Sequence, residues 1–359
     1  MQFDLKSIVQ TKKITMFSRF ITLSLLLCCS LTVLSAQKIQ TIRGRISPAK
    51  MGLTLIHEHV FLDWSGAETT RPELWNNDSA VAVILPYLRA VQKYGVKTIL
   101  ECTPNYIGRN PKLLVRLADS TGLQFLSNTG YYGARGDQHI PASAYTETVE
   151  QIAERWLDEF KNGIDGTSVR PGFIKIGVDG DSTLSEIDAK IVSAAARTHL
   201  RSGLTIVAHT GPDPLALRQV EILEQAGVAL NAWVWTHAQG GTDATRIALA
   251  KKGAWISLDG LGWVNPAERG GDSTALMHYV KAIEALKAAG CLGRVLLSHD
   301  AGWYTHGVPG GGRFQPYTLI FTHLLPVLRE RGFSEKEIEW MLVKNPQEAF
   351  KIRVRARRK

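Results

Sequence analysis

A (β/α)8 TIM barrel, an α/β fold of eight parallel strands ringed by helices, is what this sequence predicts, and three observations predict it. Eight short apolar runs recur between residues 50 and 300. Each is followed by a polar or glycine-containing loop and a longer amphipathic segment, the alternation that yields parallel strands with right-handed crossovers. Side chains able to bind metal gather at the C-terminal ends of the runs, where such barrels carry their active sites.

The runs are Leu53–His59, Lys97–Thr103, Gln124–Gly130, Phe173–Asp179, Leu204–Thr210, Val228–His237, Ala254–Gly260 and Arg294–Asp300. Their nearly continuous hydrophobicity suits strands buried on both faces. After the first run, Asp78-Ser79 can cap a helix reaching Tyr94 and ended by Gly95, with Pro86 predicting a kink or a late start. Later, Leu184, Ile187, Ile191 and Ala195 recur at helical period up to Arg201, and Gly203 stops that helix. Helices over Asp213–Ala226, Asp243–Lys252 and Ser273–Ala289 follow on the same grounds. An open doubly wound sheet is the alternative, but it has no need of eight regular units. No strand leads into a dinucleotide fingerprint, and Gly310-Gly311-Gly312 lacks the Lys-Ser/Thr of a phosphate-binding loop.

Composition and charge narrow the class. The chain has 359 residues, 45% of them hydrophobic, which excludes a collagen-like or disordered chain. Its net charge of +9 sits at the two ends. Residues 1–36 hold +3 and the last nine residues hold six bases and no acid, so the body is neutral. Arg19, the apolar run Ile21 to Leu34 and Ser35-Ala36 read as a secretory signal peptide cleaved after Ala36. The run is too short for a comfortable transmembrane helix, which needs about 20 residues. The expected division is therefore a signal over 1–36, one barrel domain over 37–352 and a solvated basic tail over 353–359. A secreted or periplasmic location follows, with no stable membrane insertion after cleavage. A short cationic tail without interleaved aromatic residues argues against nucleic acid as a partner. Cleavage would remove Cys28 and Cys29, leaving Cys102 and Cys291, too few for a disulfide framework.

The strand ends carry the chemistry. His57 and His59 close the first strand two residues apart, so both imidazoles share one side while Glu58 points to the helical layer. Lys175 lies between Ile174 and Ile176 in the fourth strand. His209 ends the fifth, His237 the sixth and Asp300 the eighth. Each alone is a weak signal, and a lone strand-end histidine is commonly a hydrogen-bonded core residue. Jointly they are hard to satisfy without metal, because an unpaired buried ammonium costs several kcal/mol or loses its proton.

These residues stand in motifs that resemble a known family. His57-Glu58-His59, Phe173-Ile174-Lys175-Ile176-Gly177, Val207-Ala208-His209-Thr210, Trp235-Thr236-His237-Ala238-Gln239 and Leu297-Ser298-His299-Asp300 are similar to the metal motifs of the phosphotriesterase family of the amidohydrolase superfamily. The resemblance covers about residues 45–352 and continues into Asn345-Pro346-Gln347-Glu348-Ala349-Phe350. The sixth-strand motif is more similar to the phosphotriesterase-related branch than to the founding enzymes. The resemblance implies a binuclear centre at the barrel mouth, two divalent ions, usually zinc, bridged by a hydroxide and a carboxylated Lys175. His57, His59 and Asp300 would hold the inner ion, and His209 and His237 the outer one. Asp300 would orient the hydroxide and take its proton, so Asp300 and Lys175 are the candidate catalytic residues.

Loop candidates for the substrate pocket are Trp64, Tyr131, Tyr132, Asp259, Trp263, Trp303, Tyr304, His306 and Arg313. The resemblance implies that Tyr131 or Tyr132 matches a substrate-positioning tyrosine of the lactonase branch. His139, His199, His278 and His323 lie away from the strand ends and read as structural or solvent-facing. The expected activity is metal-dependent hydrolysis of a small-molecule ester-type bond in a lactone, carboxylic ester or phosphotriester. An amidase for small N-acyl substrates, or a catalytically silent secreted binding protein on the same barrel, is the alternative. A homodimer is compatible with this reading.

Overall fold

A computed structural model describes residues 37–179 and 183–357. The expected signal peptide and the last two basic residues lie outside that range. The eight barrel strands are Leu53–Leu62, Val96–Glu101, Gln124–Leu126 with Asn128–Thr129, Phe173–Gly177, Thr205–His209, Trp233–Thr236, Trp255–Leu258, and Val295–Leu297 with Gly302–Thr305. Every neighbouring pair is parallel. The third and eighth strands are each broken in two, and both pieces of each belong to the wall. The ring closes where Gly302 pairs with His59 and the Asp300 amide donates to the His57 carbonyl at 3.0 Å.

Strand parity divides the apolar residues into two clusters. Ile56, Leu100, Phe173, Val207, Val234, Trp255 and Leu296 fill the barrel interior. Leu55, Ile99, Ile174, Ala208, Ile256 and Leu297 pack outward under the helices. Burial on both faces is why the strands read as unbroken apolar runs. The floor is closed by Ile39 and Phe350. Ile39 comes from a short antiparallel hairpin, Ile39–Thr41 with Gly44–Ile46, that the sequence reading did not anticipate.

The first helix runs Asn77–Gln92 and is capped by Asn76, whose Oδ1 accepts from the Ser79 amide, two residues ahead of the expected Asp78-Ser79 cap. Pro86 stays inside it with no late start; it lies on the exposed side together with Ala82, whose carbonyl it leaves without an amide partner. The helix Glu186–Ser202 is capped by Ser185 and closed by Gly203 in the left-handed region at φ 75°. Among the described residues no helix is long and apolar enough to cross a membrane. Cys102 and Cys291 are both free and buried.

The chain end differs from a solvated tail. Arg355 is buried, and its guanidinium donates to the carbonyls of Glu348, Ala349, Lys351 and Arg353. Its amide donates to Nε2 of the buried His199, and Ala356 bridges Val228. Residues 353–357 are therefore a strap across the barrel and belong with the domain. Satisfied carbonyl dipoles offset the burial of a cation that composition alone assigns to water. Val228, expected to open the sixth strand, pairs with this strap; that strand begins at Trp233.

Candidate metal centre

The metal-capable side chains meet because of one irregularity in the first strand. Leu55 pairs with Ile99 and Glu58 with Glu101, so three steps on the first strand oppose two on the second, a β-bulge. The extra residue lets Ile56 fill the interior while His57 and His59 also face it and Glu58 faces out. Phe173, Val207 and Leu296 form an interior layer, and Lys175, His209, Ser298 and Asp300 follow it toward the mouth at every second residue.

Donor atoms converge there. Asp300 Oδ1 lies 3.1 Å from His59 Nε2 and 3.7 Å from His57 Nε2, and Asp300 Oδ2 lies 4.0 Å from His237 Nε2. His237 Nε2 is 2.8 Å from His209 Nδ1. His57, His59 and Asp300 thus form a candidate metal site. A second candidate group is His57, His237 and Asp259. Asp259, however, already accepts from both Nδ1 atoms, which leaves the Nε2 atoms as the free donors.

Asp259 had been expected to touch substrate. The structure corrects this: it is fully buried below the mouth. Its Oδ2 accepts from His57 Nδ1 at 2.9 Å and Ser257 Oγ at 2.6 Å. Its Oδ1 accepts from His237 Nδ1 at 2.8 Å and the His237 amide at 3.0 Å. A carboxylate on the far nitrogen sets the tautomer and aims the other nitrogen at an ion. His59 is aimed likewise: Nδ1 meets Thr103 Oγ1 at 2.8 Å, and that hydroxyl donates to Glu101. Glu58 accepts from Ser298, from the His299 ring and from the Ala301 amide. His299 is thereby a buried strut between strand and helix, apart from the reacting centre, and its Nε2 accepts from the Ile320 amide.

The charges are tightly coupled. Burial would raise the Asp259 carboxyl, yet His237 and His57 hold it well below the ordinary range. Asp300 is likewise held low against its burial by His57, His59 and His237. Burial pushes His57 down to about 4 and His209 well below its ordinary value. Burial opposes the charging of His237, but Asp259 outweighs it and raises that imidazole. Neutral imidazole is the form that binds metal.

Lys175 is almost wholly buried and burial lowers its pKa, favouring the free amine. Among the described residues its Nζ has no hydrogen-bond acceptor, and it lies 5.8 Å from the centre of the Tyr132 ring. A buried amine without a partner, ringed by imidazoles and a carboxylate, fits a site completed by added groups.

The adjacent tyrosines separate. Tyr132 OH lies 3.2 Å from His209 Nδ1, at the centre. Tyr131 is buried the other way, edge-on to Trp156 and against Tyr106, and does not reach the mouth. Trp303 stands edge-on to His59 at 5.5 Å and touches Trp64 at 5.6 Å and Trp263 at 5.2 Å. Its Nε1 donates to the Asp300 carbonyl at 2.9 Å. Tyr304 and His306 stack on Phe61, behind that shelf. Arg313, expected in the pocket, is 73% exposed and paired with Glu268 at 2.7 Å, so it is a loop ion pair. His237, Asp300 and Trp303 hold positive φ values of 60°, 52° and 77°. Such strain, about 1–3 kcal/mol per residue, gathers at working sites. Sequence reasoning missed Thr103 and Glu101; the only signal for them was a carboxylate ending an apolar strand.

Comparison with known proteins agrees with this geometry. The model of the phosphotriesterase family matches residues 37–350. The chain belongs to the phosphotriesterase family. Within the family, it is 30% identical over 305 residues to the phosphotriesterase homology protein of Escherichia coli (strain K12), covering 83% of this chain and 98% of that one. It is 25% identical over 360 residues to the N-acetyltaurine hydrolase of Homo sapiens, covering 87% and 97%. A variant of the organophosphorus hydrolase from Deinococcus radiodurans superposes with a TM-score of 0.75 at 28% identity, covering 88% and 97%. This family member is a TIM-barrel hydrolase with a candidate His/Asp metal site.

Proposed function

We propose that the chain is a binuclear metal-dependent hydrolase of a small-molecule ester-type bond in a lactone, carboxylic ester or phosphotriester. The observation that carries the reading is the convergence of His57, His59 and Asp300 on one point at the barrel mouth, beside the unpartnered Lys175. His57, His59 and Asp300 would hold one ion and His209 and His237 a second, with Lys175 between them as a carbamate formed from its free amine and carbon dioxide with loss of a proton. Zinc suits this imidazole and carboxylate set. When bound, such ions ionise water near neutral pH and polarise a carbonyl or phosphoryl oxygen.

The protein's own groups do the rest. Asp300, kept ionised by the surrounding imidazoles, accepts a proton at its carboxylate. Asp259 and Thr103 hold the histidines in register, and Tyr132 OH faces the substrate side of His209. The tryptophan shelf shields one side from water. Removal of residues 1–36 would deliver this domain to a secreted or periplasmic location.

A second reading, hydrolysis of a small N-acyl amide, is favoured by the likeness to the human N-acetyltaurine hydrolase. One experiment addresses both: metal analysis of the purified protein, with a panel of lactones, aryl esters, N-acyl amides and phosphotriesters. Two equivalents of metal and turnover of an ester class are expected, both lost in Lys175→Ala. A metal-free, fully active protein would overturn the proposal, and turnover of amides alone would select the second reading.

A further inference from the structure

One cation at the mouth has no part in the metal centre. Arg135 lies in the loop Gly130–Ile140 beyond the third strand, on the same segment as Tyr132. Its guanidinium stacks on Trp64, with Cζ 4.3 Å from the ring centre. Trp64 touches Trp303, and Trp303 stands against His59. One run of contacts therefore leads from the metal-capable histidine along an aromatic shelf to an exposed guanidinium.

The loop is built to present that group. Arg135, Gly136 and Asp137 all hold left-handed backbone, at φ 70°, 68° and 61°. Two of the three are not glycine, so the shape is maintained by its bonds: Asp137 N–H donates to the Gly133 carbonyl at 3.0 Å, and Gly136 N–H donates to Asp179 Oδ2 at 2.6 Å. The second bond engages the Asp179 carboxylate, which follows the fourth strand, with backbone. Among the described residues Arg135 makes no ion pair, whereas the loop arginine Arg313 is engaged by Glu268. A guanidinium over an indole ring leaves N–H donors available, in the fork geometry that matches carboxylate, sulfonate or phosphate.

We infer that Arg135 is an anion-recognition residue of the substrate pocket, and that the preferred substrate bears an anionic group on an apolar arm. The arm lies on Trp303 and Trp64, the scissile bond faces the histidines, and the anion meets Arg135. This rests on the hydrolase reading above.

The test uses a matched pair, the mono-4-nitrophenyl ester of suberic acid with its distal carboxylate free and the same compound with that carboxylate methylated. Wild type is expected to favour the acid in kcat/KM, and Arg135→Gln to lower the acid-to-methyl ratio about 10–100-fold, mainly through KM. Arg135→Lys keeps the charge without the fork and should fall between. A ratio within about twofold of wild type in Arg135→Gln overturns the inference. A calorimetric comparison of suberic acid monoanilide with its methyl ester separates this from failure of the hydrolase reading. Tighter binding of the acid, abolished in Arg135→Gln, upholds the anion site even if neither nitrophenyl ester turns over; equal binding of the two by wild type overturns it.

Discussion

Replacing Asp259 with Asn keeps the shape of the side chain and removes one acceptor. The wild-type carboxylate accepts four hydrogen bonds, two at each oxygen. An amide accepts at one end only. The His237 backbone N–H cannot become an acceptor, so the amide oxygen must face His237 and the amide NH2 must face Ser257 and His57. Ser257 can rotate its hydroxyl. His57 Nδ1 must then accept, which moves the ring proton to Nε2, the atom aimed at Asp300. The perturbation therefore disables one donor of the His57–His59–Asp300 site and leaves His237 correctly aimed. Loss of a partner of this kind weakens metal binding about 10–100-fold, or about 1.4–2.7 kcal/mol. Competition against a chelator of known affinity, with metal content read at each step, should show one equivalent leaving early and the other retained. Melting temperature of the metal-loaded protein controls for folding. Unchanged affinity for both equivalents would refute the assignment of Asp259 as the residue that sets the tautomers.

Three further outcomes follow. Tyr132→Phe should lower kcat/KM by about tenfold through loss of one hydroxyl contact at the centre, while Tyr131→Phe should leave it unchanged; steady-state kinetics on any turned-over ester distinguishes them. Truncation after Ile352 should lower the unfolding free energy by about 2 kcal/mol or more, through loss of the charge-assisted bonds of Arg355, and so lower the urea midpoint, whereas a solvated tail would leave it unmoved. Burial pushes His199 down from 6.5 to about 4, so the unfolded chain binds the extra proton first and stability falls as pH drops from about 6.5 toward 4. The fall is at most about 3 kcal/mol, and urea unfolding across that range should show a correspondingly smaller drop in His199→Asn.

The barrel and the metal-capable residues were legible because both depend on local pattern. A strand covered on two faces has to be apolar throughout, and a chemical group at its end then stands out: His209 and Asp300 could be picked from the run alone. Other features depend on contacts between distant segments. Asp259 follows Ser257-Leu258 whether it faces substrate or lies beneath the histidines; only the inward layer of the seventh strand decides. The bulge at Ile56–His57 leaves no mark in composition, since the run stays apolar on either side of it. Arg355 reads as solvated because charge counting cannot see four carbonyls turned toward it. Tyr131 and Tyr132 are adjacent, and which of them faces inward is set by how the loop leaves the third strand.

The two halves of the site are made of different material, and this bears on how one scaffold serves different substrates. His57, His59 and His209 sit on strands, His237 directly follows one and Asp300 lies in the break of the eighth. Buried bonds to Asp259 and to Thr103 with Glu101 hold His57, His237 and His59, and the Asp300 amide is tied to the His57 carbonyl. Moving any of them disturbs the barrel wall, so that half resists change. The proposed substrate side is loop: Trp263 is 47% exposed, and Arg135 is held by a left-handed turn resting on a few backbone bonds. Substitution there perturbs little else. A structure named for organophosphorus hydrolysis shares this fold, and a relative named for hydrolysis of N-acetyltaurine matches 87% of the chain in sequence. That is the behaviour expected when hydrolytic chemistry resides in the wall and selectivity resides in the loops.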